Sequence, residues 1–153
     1  MKLDDLKEKS SLLQALAATE VGLFESAATE LRLPAGGVQF EEDGPADAFY
    51  IVVGGRIGLE LTTPGKDPIV IQTLGPGDLV GVSWLFPPHR WNWRARAIVD
   101  SEVAVFDATI IRPELEKNRD LALEVLTVVS GEAVQRLQRT RVQLLDMYRG
   151  PVR

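Results

Sequence analysis

The spacing of hydrophobic positions changes twice along this chain. Over residues 2 to 19, Leu3, Leu6, Leu12, Leu13 and Leu16 recur at near-helical intervals and Gly22 offers a stop, which predicts one or two short helices. From Thr29 to Asp107 the runs become short and rich in β-branched or aromatic residues: Phe49-Tyr-Ile-Val-Val53, Ile57-Gly-Leu-Glu-Leu61, Ile69-Val-Ile-Gln-Thr73 and Val103-Ala-Val-Phe106. Clusters of Gly, Pro and Asp separate them every eight to twelve residues, the rhythm of an antiparallel roll and not of alternating βα units. After Asp107 the helical period returns. Ile110, Ile111 and Leu115 suit a short helix with Pro113 near its first turn, and Asp120 opens a long helix to about Tyr148, stopped by Gly150-Pro151.

The long helix carries two apolar surfaces. Leu123, Leu126, Ser130, Ala133, Leu137, Thr140, Leu144 and Met147 alternate at threes and fours, the spacing of a two-helix seam, while Val125, Val128, Val129, Val134 and Val142 form a second stripe. One stripe satisfies the roll, and the other predicts a homodimer through the C-terminal helix, a single broad core face being the alternative. The predicted architecture is mainly β with flanking α. It is an antiparallel β-roll of double-stranded jelly-roll type over residues 29–107, an N-terminal helical segment over 1–28 and C-terminal helices over 108–149, in one domain of 1–153.

Composition removes several kinds of chemistry. With no cysteine, disulfides, thiolate catalysis and Cys-based metal sites are excluded, and the single His89 cannot hold a metal unaided. No apolar stretch reads as a membrane span or a signal-peptide core, so the cytoplasm is the expected compartment. A net charge of −5 argues against a nucleic-acid binder, since phosphate contacts need an excess of Lys and Arg. Positive charge is nonetheless concentrated in two places. Arg90, Arg94 and Arg96 lie in an acid-free run, and Arg136, Arg139, Arg141 and Arg149 outnumber Asp146 in the last helix, where they read as a solvated face. Glu41, Glu42 and Asp43 precede Gly44 and read as a solvated turn, not an acid/base pair, and Ser83 has no oriented base; no enzyme is expected.

The stretch Gly75-Pro-Gly-Asp-Leu-Val-Gly-Val-Ser-Trp-Leu-Phe86 reads as a tight turn, a short strand and one helical turn. Gly75, Gly77 and Gly81 let the backbone approach a ligand, and the turn near Ser83 would aim free N–H groups at an anion; a plain hairpin connection is the competing reading. Its neighbours are Leu33-Pro-Ala-Gly-Gly-Val-Gln-Phe-Glu-Glu-Asp-Gly44, Ala48-Phe-Tyr-Ile-Val-Val-Gly-Gly-Arg-Ile-Gly58 and Ala95-Arg-Ala-Ile-Val-Asp-Ser-Glu-Val-Ala-Val-Phe106. In this order the segments resemble the cyclic-nucleotide-binding domain family, as in the sensor half of bacterial catabolite activators.

The resemblance implies a pocket built from a Gly-Glu pair, whose Glu accepts the ribose 2′-hydroxyl, and from an Arg-Ser/Thr-Ala run whose Arg meets the cyclic phosphate. Gly81 matches the Gly, but Val82 stands at the Glu position, a loss of about 1.5–3 kcal/mol, or roughly ten- to a hundredfold in affinity. Trp91-Asn92-Trp93 falls on the Arg-Ser-Ala triplet. Arg90 is one residue ahead and would reach the phosphate if the loop slips by one, whereas Arg94 and Arg96 turn outward if Trp91, Trp93, Ala95 and Ala97 face in. Trp84, Trp91 and Trp93 either stack on a base or fill the space a nucleotide would take. Thr140 matches the long-helix threonine that touches the base.

The candidate ligand-binding residues are therefore Gly81, Val82, Ser83, Trp84, Leu85, Arg90, Trp91, Asn92 and Thr140, with no catalytic residue, metal or cofactor. The expected ligand is a small anion, cyclic AMP or cyclic GMP first. The expected function is a regulatory sensor module signalling through its C-terminal helix to a partner protein, with neither direct DNA reading nor membrane contact. The alternative is a degenerate roll that serves as a protein-interaction subunit.

Overall fold

The computed structural model describes the backbone of residues 3–16 and 18–149. The predicted stop at Gly150-Pro151 and the packing assigned to the Leu3 side chain lie outside what is described. Three helices lead in: α1 (Leu3–Lys7), α2 (Ser11–Ala15) and α3 (Ala18–Ser26). Ser10 caps α2 by accepting a hydrogen bond from the Leu13 N–H, and Leu12 and Leu13 are buried. Gly22 does not end a helix; it lies within α3. An exposed helical glycine costs only about 1 kcal/mol. Phe24, fully buried with its ring edge-on to Phe49 and Phe106 at 6.0 and 6.2 Å, offsets that cost by holding the helix to the roll.

The strands follow as β1 (Ala28–Leu33), β2 (Val38–Phe40), β3 (Ala48–Gly54), β4 (Ile57–Leu61), β5 (Ile69–Leu74), β6 (Leu79–Val80), β7 (Arg94–Ala97) and β8 (Ser101–Asp107). They form two four-stranded sheets, ordered β1-β8-β3-β6 and β2-β7-β4-β5, with antiparallel pairing throughout. This is the predicted roll, and its chain order is interleaved between the sheets. Strand alternation sorts the side chains. Leu59 pairs with Ala95 and Ile57 with Ala97, all four buried in the core, while Glu60 pairs with Arg94 and Gly58 with Arg96 on the opposite face.

Two helices close the molecule: α4 (Ala108–Lys117) and α5 (Arg119–Arg149). Asp107 caps α4 by accepting from the Thr109 N–H. Pro113 sits in its second turn rather than its first, at an exposed position, while Ile111 and Leu115 on either side of it are buried. Leu121, Val125 and Val129 of α5 are buried in the shared core, where the helix packs on α2, α4 and β5, but Val134 and Val142 of the predicted second stripe are exposed, because at about 100° per residue they fall well off the face that Val125 and Val129 share. The 3-4 stripe faces away, with Leu123, Leu137, Leu144 and Met147 all more than half exposed, and from Arg141 onward every described residue of the helix is exposed.

Gly77 shows how tightly the lead-in helices meet the roll. Its φ is +89°, and a Cβ there would collide with the backbone carbonyl oxygen of Lys9, an atom that cannot swing aside. Gly77→Ala combines left-handed strain with that collision and is expected to lower stability by about 2 kcal/mol or more, read as a fall in the thermal unfolding midpoint. Gly65→Ala is the control: its φ of +75° is similar but nothing lies near its Cβ, so its loss should be clearly smaller.

Candidate functional site

The glycine-rich segment turns twice before it reaches its strand. The Asp78 Oδ2 accepts from the Gly75 N–H at 2.9 Å, and the Asp78 N–H donates back to the Gly75 carbonyl at 3.0 Å. β6 then runs into Gly81, whose φ is +79°. Beyond it the Leu85 N–H donates to the Val82 carbonyl and the Phe86 N–H to the Ser83 carbonyl, so the predicted helical turn is a pair of tight turns and not an α-helix.

Trp91 occupies the space beside Gly81. A Cβ on Gly81 would collide with the indole ring, which is buried. The indole stacks on Phe40 of one sheet with centroids 3.9 Å apart, and lies 6.1 Å from Tyr50 of the other sheet at an interplanar angle of 37°. It therefore sits between the sheets. Burial also pushes the Tyr50 hydroxyl to a higher pKa than usual. Trp84 goes elsewhere. It stacks on Phe49 at 4.2 Å, and because Phe49 and Tyr50 are successive residues of β3, the two tryptophans serve opposite faces of the same sheet. The Trp84 Nε1 is buried without an acceptor, and Trp93 is half-buried at the edge of the core.

The other candidate residues are dispersed around this point. Val82 and Leu85 are half-buried and pack against the core, offering no acceptor. Ser83 is buried and its Oγ accepts from the Asn92 amide at 3.4 Å. Thr140 spends its hydroxyl on the Arg136 carbonyl of its own helix, at 2.9 Å. Arg90 is exposed, with Nη1 donating to the Asp43 carbonyl at 2.8 Å, on the loop where the Trp91 and Asp43 backbones pair. Arg94 and Arg96 both donate Nε to one oxygen of buried Glu60, at 3.0 and 3.1 Å, on the outward face of β4 and β7. None of these three arginines is directed at Gly81. A separate open cleft of about 650 Å³ lies along Thr29, Asp47, Tyr50, Val105, Asp107 and Thr109.

Two arginines that spacing did not single out hold the glycine-rich segment instead. Arg112 of α4 donates Nη1 to the carbonyls of Ala46 at 3.0 Å and Trp84 at 2.8 Å. Arg136 of α5, assigned by sequence to a solvated face, is in fact buried. Its Nε donates to the Gln72 Oε1 at 2.9 Å and its Nη2 to the Leu79 carbonyl at 2.8 Å. Burial holds the Arg136 pKa below the usual guanidinium range, against the opposing pull of Glu132 and Asp78. The signal that could have found it is an arginine at the position next to Leu137 that continues the Leu121, Val125, Val129 core stripe, where a charge demands partners.

Trp91→Ala removes the largest side chain between the sheets at this point. A loss of about 3–5 kcal/mol is expected, measured by denaturant unfolding. Trp93→Ala, at a half-buried position, should cost distinctly less.

A model of the cyclic nucleotide-binding domain matches residues 30–118. The chain is 21% identical over 145 residues to the CRP-like cAMP-activated global transcriptional regulator of Mycobacterium tuberculosis, an alignment covering 95% of this chain and 63% of that protein. The chain thus spans less than two thirds of that relative's length. Among solved structures, a cyclic nucleotide-binding domain from Methylobacillus flagellatus aligns over 98% of this chain and 86% of its own, with a TM-score of 0.79 and 15% identity. The catabolite activator protein of Thermus thermophilus aligns over 88% and 62%, with a TM-score of 0.69 and 24% identity. At these identities the likeness of the structures is one of fold. The family match is independent of them and covers more than half of the chain, so this protein belongs to the cyclic nucleotide-binding domain family.

Proposed function

We propose that this chain is a dimeric regulatory module that takes a small anionic ligand beside the glycine-rich segment and reports it through α5. The observation that carries the reading is the pair of helical arginines. Arg136 holds the Leu79 carbonyl and Arg112 holds the Trp84 carbonyl, so the segment from 79 to 84 is bonded at one end to α5 and at the other to α4. A ligand that shifts this segment must stretch or remake those charge-assisted bonds, which moves the helices; the binding energy difference between the two arrangements sets the response. The reading is one of binding, not catalysis.

The dimer rests on α5. Leu123, Leu126, Leu137, Leu144 and Met147 form one exposed apolar stripe along a helix whose buried residues, Leu121, Val125, Val129 and Arg136, lie on another face and end at Arg136. A second copy of the helix is the occupant that a 3-4 spacing fits. Leu137→Asp is expected to convert a dimer into a monomer at micromolar concentration, because an unpaired carboxylate in a closed seam costs several kcal/mol. Sedimentation of the wild-type chain as a monomer would overturn the assembly.

Cyclic AMP is the first ligand to test, on the strength of the family and of the M. tuberculosis relative. Without a carboxylate at Val82 for the ribose hydroxyl, and with Trp91 beside Gly81, its Kd is expected at ~10 µM or weaker by calorimetry. A submicromolar value would show that Val82 and Trp91 had been overvalued. The second reading, an interaction subunit that binds no nucleotide, is favoured by one observation, the stacking of Trp91 on Phe40 in the space beside Gly81. It takes first place if neither cyclic AMP nor cyclic GMP binds at millimolar concentration.

A further inference from the structure

Arg136 is the one arginine among the described residues that is buried, only 5% exposed, and its bonding is half complete. A guanidinium has two edges that can grip a pair of acceptors: one formed by Nε and one Nη, the other by the two Nη groups. Arg136 spends the first edge on the protein, Nε on Gln72 and Nη2 on the Leu79 carbonyl. Its Nη1 is buried with no acceptor. Neither nearby carboxylate bonds it: Asp78 accepts from the Gly75 N–H, and Glu132 accepts from the Ser11 hydroxyl. A buried, charged donor without an acceptor destabilises a fold and is uncommon enough to require an explanation. The other arginines near the glycine-rich segment are engaged elsewhere, Arg90 with Asp43, Arg94 and Arg96 with Glu60, and Arg112 with Ala46 and Trp84.

We infer that the Nη1–Nη2 edge of Arg136 is the anion receptor of this roll, gripping the phosphate or carboxylate of its ligand from the α5 side. This rests on the reading of the chain as a ligand-responsive module and names the residue and chemistry that serve it. The fork geometry of that edge matches two oxygens of one oxyanion, and the bond from Nη2 to Leu79 places it two residues from Gly81. Ligand charge would then act on α5 directly. Arg136 adjoins Leu137, whose side chain is 67% exposed on the proposed seam, so the anion and the second copy would bear on neighbouring residues of one helix.

The test uses the full chain with three probes: cyclic AMP, inorganic phosphate and succinate. Calorimetry is run on the wild type and on Arg136→Met, Arg136→Lys and Arg90→Ala, with circular dichroism melts to establish that each variant is folded. At least one probe is expected to bind the wild type. Its Kd should weaken tenfold or more in Arg136→Met, less in Arg136→Lys, which keeps the charge and loses the fork, and less than twofold in Arg90→Ala. The bound probe separates the sources: succinate alone identifies a carboxylate, phosphate or cyclic AMP a phosphoryl group. In the wild type, the Arg136 side-chain ¹⁵Nε resonance should shift on adding that probe, a readout that stands even if Arg136→Met does not fold. A probe that binds while this resonance stays still, or that binds a folded Arg136→Met within twofold of the wild type, overturns the receptor and leaves the sensor module standing. Failure of all three probes at millimolar concentration overturns both.

Discussion

The packing of one indole governs the interior of this molecule. Trp91 lies against Gly81, stacks on Phe40 and approaches Tyr50, so it touches both sheets at the point where the glycine-rich segment enters the roll. Gly81 must be glycine for two independent reasons, its positive φ and the ring that a Cβ would strike. In return, the absence of a side chain there makes room for an indole beside the sheet that carries Ile57, Leu59, Ala95 and Ala97. The small residues on β7 and the large one just before it are thus complementary, as close packing requires.

Around that centre, arginine has been moved from one job to several. Arg94 and Arg96 neutralise Glu60 on the outward face, a partly buried cluster in which one carboxylate oxygen serves two guanidinium groups. Arg112 and Arg136 reach in from the helices and donate to main-chain carbonyls. Bonds of that kind are stronger than neutral ones because the donor is charged, and they are directional because the fork is planar. They join the helices to the glycine-rich segment by its backbone, so the junction tolerates variation in the segment's own side chains, Val82 among them.

The long helix divides along its length and around its circumference. Leu121, Val125 and Val129 anchor its first half and Arg136 is its last buried residue; beyond it Thr140 is half-buried, and the Gln143 amide donates to the Val70 carbonyl at 3.1 Å. A helix this long is not held by intrinsic propensity alone when its outer stripe is apolar and uncovered. Its buried residues lie on one face of the first half, and its apolar stripe on another is uncovered.

The arrangement of elements was legible in the chain because it depends on local period: two-residue alternation interrupted by Gly, Pro and Asp for the strands, threes and fours for the helices. The exposed 3-4 stripe of α5 and the buried start of the second one, Val125 and Val129, were legible for the same reason, whereas Val134 and Val142 turned out exposed; legible too was the outward turn of Arg94 and Arg96 opposite Ala95 and Ala97. Gly22 and Pro113 misled because local cost yields to tertiary contact: buried Phe24 holds α3 through its glycine, and buried Ile111 and Leu115 hold α4 through its proline. The site was legible only in part. Gly81 announced itself by type, but the place of the Trp91 ring is set by Phe40 and Tyr50, residues 51 and 41 positions away in sequence that meet it only when the two sheets close. Arg136 sat in a run of arginines that composition reads as solvated. Its burial is a consequence of helix phase relative to the roll, set by Leu121, Val125 and Val129 together, and no count of charges reveals which guanidinium a packed helix turns inward.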